Sequence, residues 1–110
     1  MKSDRERLED ISEAIERIER YHERGRQEFT SDELLQTWVV YHLQIIGEAV
    51  GRLSDSLKAN HPEIPWREIV AMRNILVHDY FAVDVEDVWN VVENDLPGLK
   101  VKIDSILGSI

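Results

Sequence analysis

The chain has 110 residues, no cysteine and a formal net charge of −9, with 22 acidic against 13 basic side chains. This length predicts one domain over residues 1–110 that can bury a core without disulfide staples. The lack of cysteine excludes disulfides and thiolate metal sites.

No stretch has the ~18 apolar residues of a membrane span, and the charged N-terminus lacks a signal-peptide pattern, so a cytoplasmic protein is expected. The acidic balance argues against extended binding to duplex nucleic acid, whose binders usually present a basic face.

Apolar residues at alternating three- and four-residue spacing open the chain and predict its first helix. Ser3 and Glu6 stand before it at the spacing of a capping box, and Gly25 is its expected end. No strand-like alternation of useful length follows. The sequence therefore predicts an all-α fold, a four- to five-helix up-and-down bundle.

The second predicted helix is the longest. Thr30 and Glu33 again have capping-box spacing, and the helix is expected to continue to about Leu57. Two adjacent apolar rows give it a face wider than a contact with one helix requires. Either this is the central helix of the core, or part of the face contacts a second subunit. Gly47 and Gly51, four residues apart, could permit a close helix approach or could simply weaken the helix.

Prolines and an acidic cap divide the rest of the chain. Pro65 is well placed at the start of a third helix, because it has no N–H to lose there. Asp84 is a suitable N-cap for a fourth helix. The segment Leu96-Pro97-Gly98 is expected to interrupt the chain before a last amphipathic piece.

The densest group of reactive side chains is the run from Arg73 to Tyr80. It contains a guanidinium, an amide, an imidazole and a phenol within eight residues. Arg73 offers a planar fork of donors to a phosphate, and His78 can take up and return a proton near neutral pH. These groups suit metal-free cleavage of an RNA phosphodiester, with His78 as general acid/base and Arg73 stabilising charge on the phosphate. In a purely structural arrangement, Arg73 would pair with an acidic neighbour and His78 would cap its helix.

Helix geometry limits how these side chains converge. Asn74 and His78 share one face of an ideal helix, whereas Arg73 and His78 are about 140° apart. One straight helix therefore does not aim both at one atom. Three arrangements remain open: the helix unwinds near His78, the long arm of Arg73 reaches over, or two subunits supply residues to a shared site.

No other group of residues indicates catalysis. The four histidines lack the spacing of metal ligands, and the chain has no Gly-rich phosphate loop or nucleophile-elbow serine. No metal and no cofactor are therefore expected. Glu48 interrupts an apolar helix face, either as a surface carboxylate or as a group that orients His78 or Arg73.

Residues 66–81, with the sequence WREIVAMRNILVHDYF, resemble the signature of HepT-like toxins in the HEPN ribonuclease superfamily. The superfamily motif is R-x4-6-H. The HepT branch carries R-x4-H-x-Y, which corresponds here to Arg73, His78 and Tyr80. Two further elements resemble the family in the right order, the I-G-E-A element within residues 45–49 and the segments in residues 84–97.

The resemblance implies a homodimeric helical bundle that acts as a metal-independent endoribonuclease, the toxin of a toxin–antitoxin pair that cleaves mRNA or tRNA. Arg73 and His78 would be catalytic, with Asn74, Tyr80 and Glu48 as auxiliary groups. The implied partner is a minimal nucleotidyltransferase antitoxin that adenylylates Tyr80, adding bulk and negative charge beside Arg73. The alternative is a non-catalytic helical module that docks such a nucleotidyltransferase, which the acidic surface favours. Neither DNA nor a membrane is an expected partner.

Overall fold

The computed structural model describes residues 2–110, apart from the side chain of Tyr80. Every secondary-structure element in these residues is helical. Seven α-helical segments follow in chain order: α1 Asp4–Glu19, α2 Gly25–Ser31, α3 Glu33–Gly51, α4 Asp55–Asn60, α5 Trp66–His78, α6 Val85–Asn90 and α7 Leu96–Ser109. Short 3₁₀ turns occupy His22–Arg24 and Tyr80–Ala82, and a π-helical turn spans Val91–Asp95. The predicted all-α bundle is confirmed. None of the described helices is both long and apolar enough to cross a membrane.

The core forms around α3, which packs on α1 on one side and on α5 on the other, while α7 covers α1. The prediction of a central core helix therefore holds for most of the apolar residues of α3. The side chains that are almost completely enclosed include Leu8, Ile11, Ile15, Ile18, Leu43, Ile46, Val50 and Ile103. Because α5 leans on this central helix, the position of α3 determines how α5 presents its side chains.

The first helix begins as predicted but ends early. Ser3 forms the expected capping box with Glu6, yet α1 ends at Glu19 and not at Gly25. Beyond that end, His22 stacks on Trp89, with ring centroids 5.3 Å apart. Gly25 has a φ of +80°, a left-handed value that glycine adopts easily, and it joins the 3₁₀ turn to α2. A stacking contact between residues so far apart in sequence leaves no trace in local spacing.

The predicted helix start at Thr30 is wrong. Thr30 lies inside α2, where its hydroxyl donates to the carbonyl of Gln27. Asp32 is the N-cap of α3, and its Oδ1 accepts the backbone N–H groups of Leu34 at 3.0 Å and Leu35 at 3.2 Å. A carboxylate that accepts two N–H groups also interacts favourably with the helix dipole, which explains why the cap falls two residues later.

The second predicted helix is divided into two. The helix α3 ends at Gly51, Leu53 turns into the core, and Ser54 caps the separate helix α4. Asp4 holds this break in place, because its carboxylate accepts the hydroxyl of Ser54 at 2.5 Å and its backbone N–H at 2.9 Å. These hydrogen bonds lower the pKa of Asp4. The predicted continuation to Leu57 is wrong because a contact across fifty residues stabilises the break.

The predicted interruption at Leu96-Pro97-Gly98 is also wrong. Helix α7 begins at Leu96 and has Pro97 in its first turn, where a missing N–H removes no helical hydrogen bond. The irregularity lies one turn earlier, in the π-helical turn Val91–Asp95 that links α6 to α7 without a loop.

Two predicted helix starts are confirmed. Pro65 directly precedes α5, and Asp84 caps α6 by accepting the backbone N–H of Glu86 at 2.9 Å. The start of α5 is also anchored by Trp66, whose indole N–H lies 3.0 Å from the carbonyl oxygen of His61. The helix that carries the reactive cluster is thus fixed at its beginning.

The cap assignment predicts different effects at two neighbouring positions. Asp32→Ala should lower the free energy of unfolding by about 1 kcal/mol, because two N–H groups at the start of α3 lose their acceptor. Thr30→Ala should change it by less than about 0.5 kcal/mol. Urea denaturation followed by far-UV circular dichroism measures both. Asp32→Asn, which keeps an acceptor oxygen, is the matched control and should retain most of the stability. A larger loss at Thr30 than at Asp32 would contradict the assignment.

Candidate active site

The reactive cluster occupies the last turns of α5 and the turn that follows. His78 is the last residue of the helix, and the N–H of Asp79 donates to the carbonyl of Ile75 at 2.8 Å. The helix is therefore regular through His78, and the unwinding considered from sequence does not occur. Arg73 and His78 remain about 140° apart on it. Two arrangements are left: a reach-over by the arm of Arg73, or a site shared between two subunits.

Arg73 is held in a half-buried position between α5 and α3. Its Nη1 donates to Oδ1 of Asn74 at 3.2 Å. Its Nε–H is buried and has no acceptor among the described residues. No described carboxylate forms an ion pair with Arg73, so the purely structural pairing with an acidic neighbour is not observed. A partly desolvated guanidinium of this kind interacts strongly with an anion, because water screens it less.

Gly47 makes the room that Arg73 needs. A Cβ added at Gly47 would lie 2.7 Å from Cγ of Arg73, closer still to its Cβ, and 3.3 Å from the carbonyl oxygen of Ile69. Any side chain there would displace α5 or the stem of Arg73. Gly51 differs, because a Cβ there would meet only Cγ2 of Val70, at an ordinary 3.8 Å. Of the two alternatives left by the sequence, close helix approach thus applies to Gly47 alone.

Gln44 is a supporting residue that was not predicted from the sequence. It lies on α3 one turn before Gly47, and its Nε2 donates to the carbonyl of Leu76 at 3.4 Å. This bond ties α3 to the part of α5 that carries His78. The signal available in the sequence was an amide side chain among the apolar residues of the second predicted helix.

His78 differs from the other three histidines in being exposed and unengaged by any described hydrogen bond or ion pair. His42 is buried, with its Nδ1 2.7 Å from the carbonyl oxygen of Trp38. His22 stacks on Trp89, and His61 lies 3.5 Å from a carboxylate oxygen of Glu63. His78 is therefore the histidine best placed to exchange protons with a substrate.

Glu48 is an auxiliary residue that the structure does not bring to Arg73. A carboxylate oxygen of Glu48 lies 3.5 Å from a guanidinium nitrogen of Arg52, in a groove that α3 forms with α1. The backbone of Tyr80 begins the 3₁₀ turn after α5, and its side chain lies outside the described part. Both auxiliary roles stay predictions. Among residues 2–110, no three histidines or carboxylates are grouped as metal ligands, and metal independence also stays a prediction.

Comparison with known families decides the class of the protein. A family model described as Ribonuclease HepT-like matches residues 11–106. The chain belongs to the HepT-like ribonuclease family. This confirms the resemblance carried by residues 66–81 and the expectation of a ribonuclease, with RNA as the class of substrate.

Two curated relatives are similar to this HepT-like chain over almost their whole length. The "Probable ribonuclease HepT" of Thermococcus cleftensis is 44% identical over 106 residues, which cover 96% of each chain. A protein of Caldanaerobacter subterraneus subsp. tengcongensis named "Putative RNase" is 36% identical over 108 residues, covering 97% of this chain and 96% of that one. None of the solved structures matches this chain.

The two glycines of α3 predict opposite outcomes for the same substitution. Gly51→Ala should raise the free energy of unfolding by up to ~1 kcal/mol, because alanine is the better helix former. Gly47→Ala should lower it by about 1–3 kcal/mol through overpacking. It should also reduce RNA cleavage at least about tenfold by moving Arg73. Urea denaturation and a cleavage assay on the folded variants test this. A Gly47→Ala protein as stable and active as Gly51→Ala would show that the close approach does not position the site.

Proposed function

We propose that this HepT-like ribonuclease is a metal-independent endoribonuclease that cleaves RNA by transesterification. His78 acts as general base on a ribose 2′-hydroxyl or as general acid on the leaving 5′-oxygen. The 2′-oxygen bonds to phosphorus as the bond to the 5′-oxygen breaks. The products are a 2′,3′-cyclic phosphate, or its hydrolysis product, and a 5′-hydroxyl end. Arg73 stabilises the charge that develops on the phosphate oxygens.

The state of Arg73 is the observation that carries this proposal. The close approach of α3 at Gly47 fixes its stem, yet no described carboxylate neutralises its charge. A preorganised cation of this kind stabilises a transition-state anion without reorganising. Asn74 supports it, because its Oδ1 accepts from Arg73 and its NH₂ group is left to donate to a phosphate oxygen. Exposed His78 lies little more than one helical turn away.

We also propose a homodimer in which two α5 helices face each other across a cleft. Large apolar side chains are exposed on both α3 and α5. The exposed fraction is 83% for Leu34 and 59% for Tyr41 on α3, and 53% for Ile75 on α5. Leu34 and Tyr41 are seven residues apart and lie in one helical row. Apolar surface of this kind often marks a contact with another protein. A second copy would bring the imidazole of one protomer to the guanidinium of its partner and overcome their angular separation.

The biological role we propose is that of the toxin in a toxin–antitoxin pair, acting on mRNA or tRNA in the cytoplasm. Its antitoxin would be a minimal nucleotidyltransferase that attaches AMP to Tyr80. That residue begins the turn directly after α5, two positions beyond His78. An added phosphate there would repel the RNA phosphate that Arg73 is proposed to bind.

The acidic surface favours a second candidate function. With a net charge of −9, the same helices would suit a non-catalytic module that docks a nucleotidyltransferase and binds no RNA. The two functions differ in one property, the cleavage of RNA by the isolated protein.

Cleavage by matched variants in the presence of EDTA separates the two functions. Arg73→Ala and His78→Ala should each lower the rate at least about a hundredfold, because each removes a group that acts on the reacting phosphate. Arg24→Ala, which removes a cation paired with Glu28 on the surface, should cleave like the parent. Analysis of RNA 3′ ends should find cyclic phosphate. Equal background in all four proteins would support the docking module.

A mixture of the two inactive variants tests the shared site. If one protomer supplies Arg73 and the other His78, mixed dimers of Arg73→Ala and His78→Ala contain one intact site. Half of randomly assorted dimers are mixed, so about a quarter of the parent activity should return. Sedimentation should first show that the mixture contains dimers. If such a mixture recovers no activity, either Arg73 and His78 of one protomer act together, or each site needs both residues from both protomers.

Modification of Tyr80 is tested by intact-mass spectrometry after co-expression with the candidate nucleotidyltransferase. The parent protein should gain adenylyl increments and lose cleavage activity, because the attached phosphate adds negative charge beside the cation. Tyr80→Phe should gain none. Tyr41→Phe, which alters an exposed tyrosine elsewhere, should be modified like the parent. An unmodified parent, or a modified Tyr80→Phe protein, would exclude this mode of neutralisation.

A further inference from the structure

We infer that Arg67 is a second phosphate contact for the RNA and marks one end of a binding track along α5. The inference rests on the proposed ribonuclease function. It adds a class of substrate, a single strand that extends well beyond the cleaved linkage, and it assigns a residue to hold that strand.

The track is a single row of side chains on one helix. Arg67, Ala71, Asn74 and His78 fall within about 60° of one another around α5, and all four are exposed. Buried Leu76 lies outside this arc and faces the core. The regular helix through His78 therefore places Arg67 on the same exposed face as the proposed acid/base. At 1.5 Å per residue, the two ends of the row are about 16 Å apart along the axis.

The charge of Arg67 is not neutralised by a described carboxylate. Of the other twelve Lys and Arg side chains, six are engaged by carboxylates among the described residues, namely Lys2, Arg17, Arg24, Arg26, Arg52 and Lys100. No described carboxylate pairs with Arg67. The acidic residue of α5, Glu68, projects about 100° away from Arg67. Helix α5 is therefore net positive within a chain of charge −9, which favours binding of a polyanion there over the acidic helices α1, α3 and α6.

The small side chain in the middle of the row completes the track. Ala71 lies between Arg67 and Asn74, and its short side chain leaves a shallow depression in the surface of α5. A strand can thus lie against the helix while one phosphate meets Arg67 and another meets the cleavage site. If the strand is stacked with the ~3.4 Å rise of a duplex strand, about five nucleotides cover the row. A second strand would face the acidic surroundings, so the track favours single-stranded RNA.

Binding of a 2′-O-methyl RNA of about ten nucleotides, which transesterification cannot cleave, tests the contact across a series of salt concentrations. Arg67→Gln should weaken binding about three- to tenfold and reduce the slope of log K against log salt by about 0.7, the value for one phosphate contact with a single strand. Arg67→Lys should keep the parent slope because it keeps the charge. Arg20→Gln is the matched control, since Arg20 is exposed, forms no described ion pair and lies at the end of α1.

Cleavage of the matching 2′-hydroxyl RNA distinguishes failure of the Arg67 contact from failure of the proposed ribonuclease function. Arg67→Gln should raise KM with kcat unchanged, because the contact holds the strand away from the reacting atoms. A parent that cleaves, with Arg67→Gln equal to it in affinity and slope, would overturn the track and leave the ribonuclease intact. The same loss in Arg20→Gln would also overturn it, because net charge alone would then explain the effect. A parent that cleaves nothing would overturn the proposed function and the track together.

Discussion

The contact between the backbone of α3 at Gly47 and the stem of Arg73 is the constraint on which the site depends. Only a hydrogen atom at position 47 lets the two helices meet there, and the distance between packed helices is set by the side chains at their contact. The contact also sets the rotation of α5. With the stem of Arg73 against α3, Leu76 enters the core and His78 points outward. One close approach thus shelters the cation and exposes the imidazole.

This arrangement gives the two proposed catalytic groups different physical surroundings. Arg73 is half-buried and has lost part of its hydration, so an anion that reaches it is bound through a medium of lower dielectric than water. His78 stays in contact with solvent, where protons exchange freely. Gln44 braces the same stretch of α5 through the carbonyl of Leu76. The scaffold is therefore firm around Arg73 and open around His78.

The part of the fold that the sequence predicted well depends on short-range signals. Pro65 marks the start of α5, and helical spacing within that helix is enough to place Asn74 and His78 on one face. The errors lie where distant residues decide. Asp4 breaks the second helix by binding Ser54, and no pattern within α3 reveals it.

The surroundings of Arg73 show the same limit at the site itself. Its motif is local and could be recognised along the chain, but the glycine that accommodates it lies 26 positions earlier. Which residue of α3 faces α5 is a matter of helix register, and that follows from how the whole core packs. The sequence could name both glycines of α3 and could not say which one the guanidinium needs.

The net charge of −9, together with the pairing of six described cations with carboxylates, has a consequence for turnover in the proposed reaction. Such pairs leave the outside of the molecule repulsive to polyanions over about a Debye length, ~8 Å at physiological ionic strength. A cleaved strand released from the proposed site on α5 would meet a surface in which acidic side chains outnumber basic ones by 22 to 13, so fragments would tend to disperse instead of competing with new substrate. If the proposed contacts on α5 supply the binding energy, the enzyme would trade affinity for rapid release of its products, an arrangement that suits repeated turnover more than long residence on one strand.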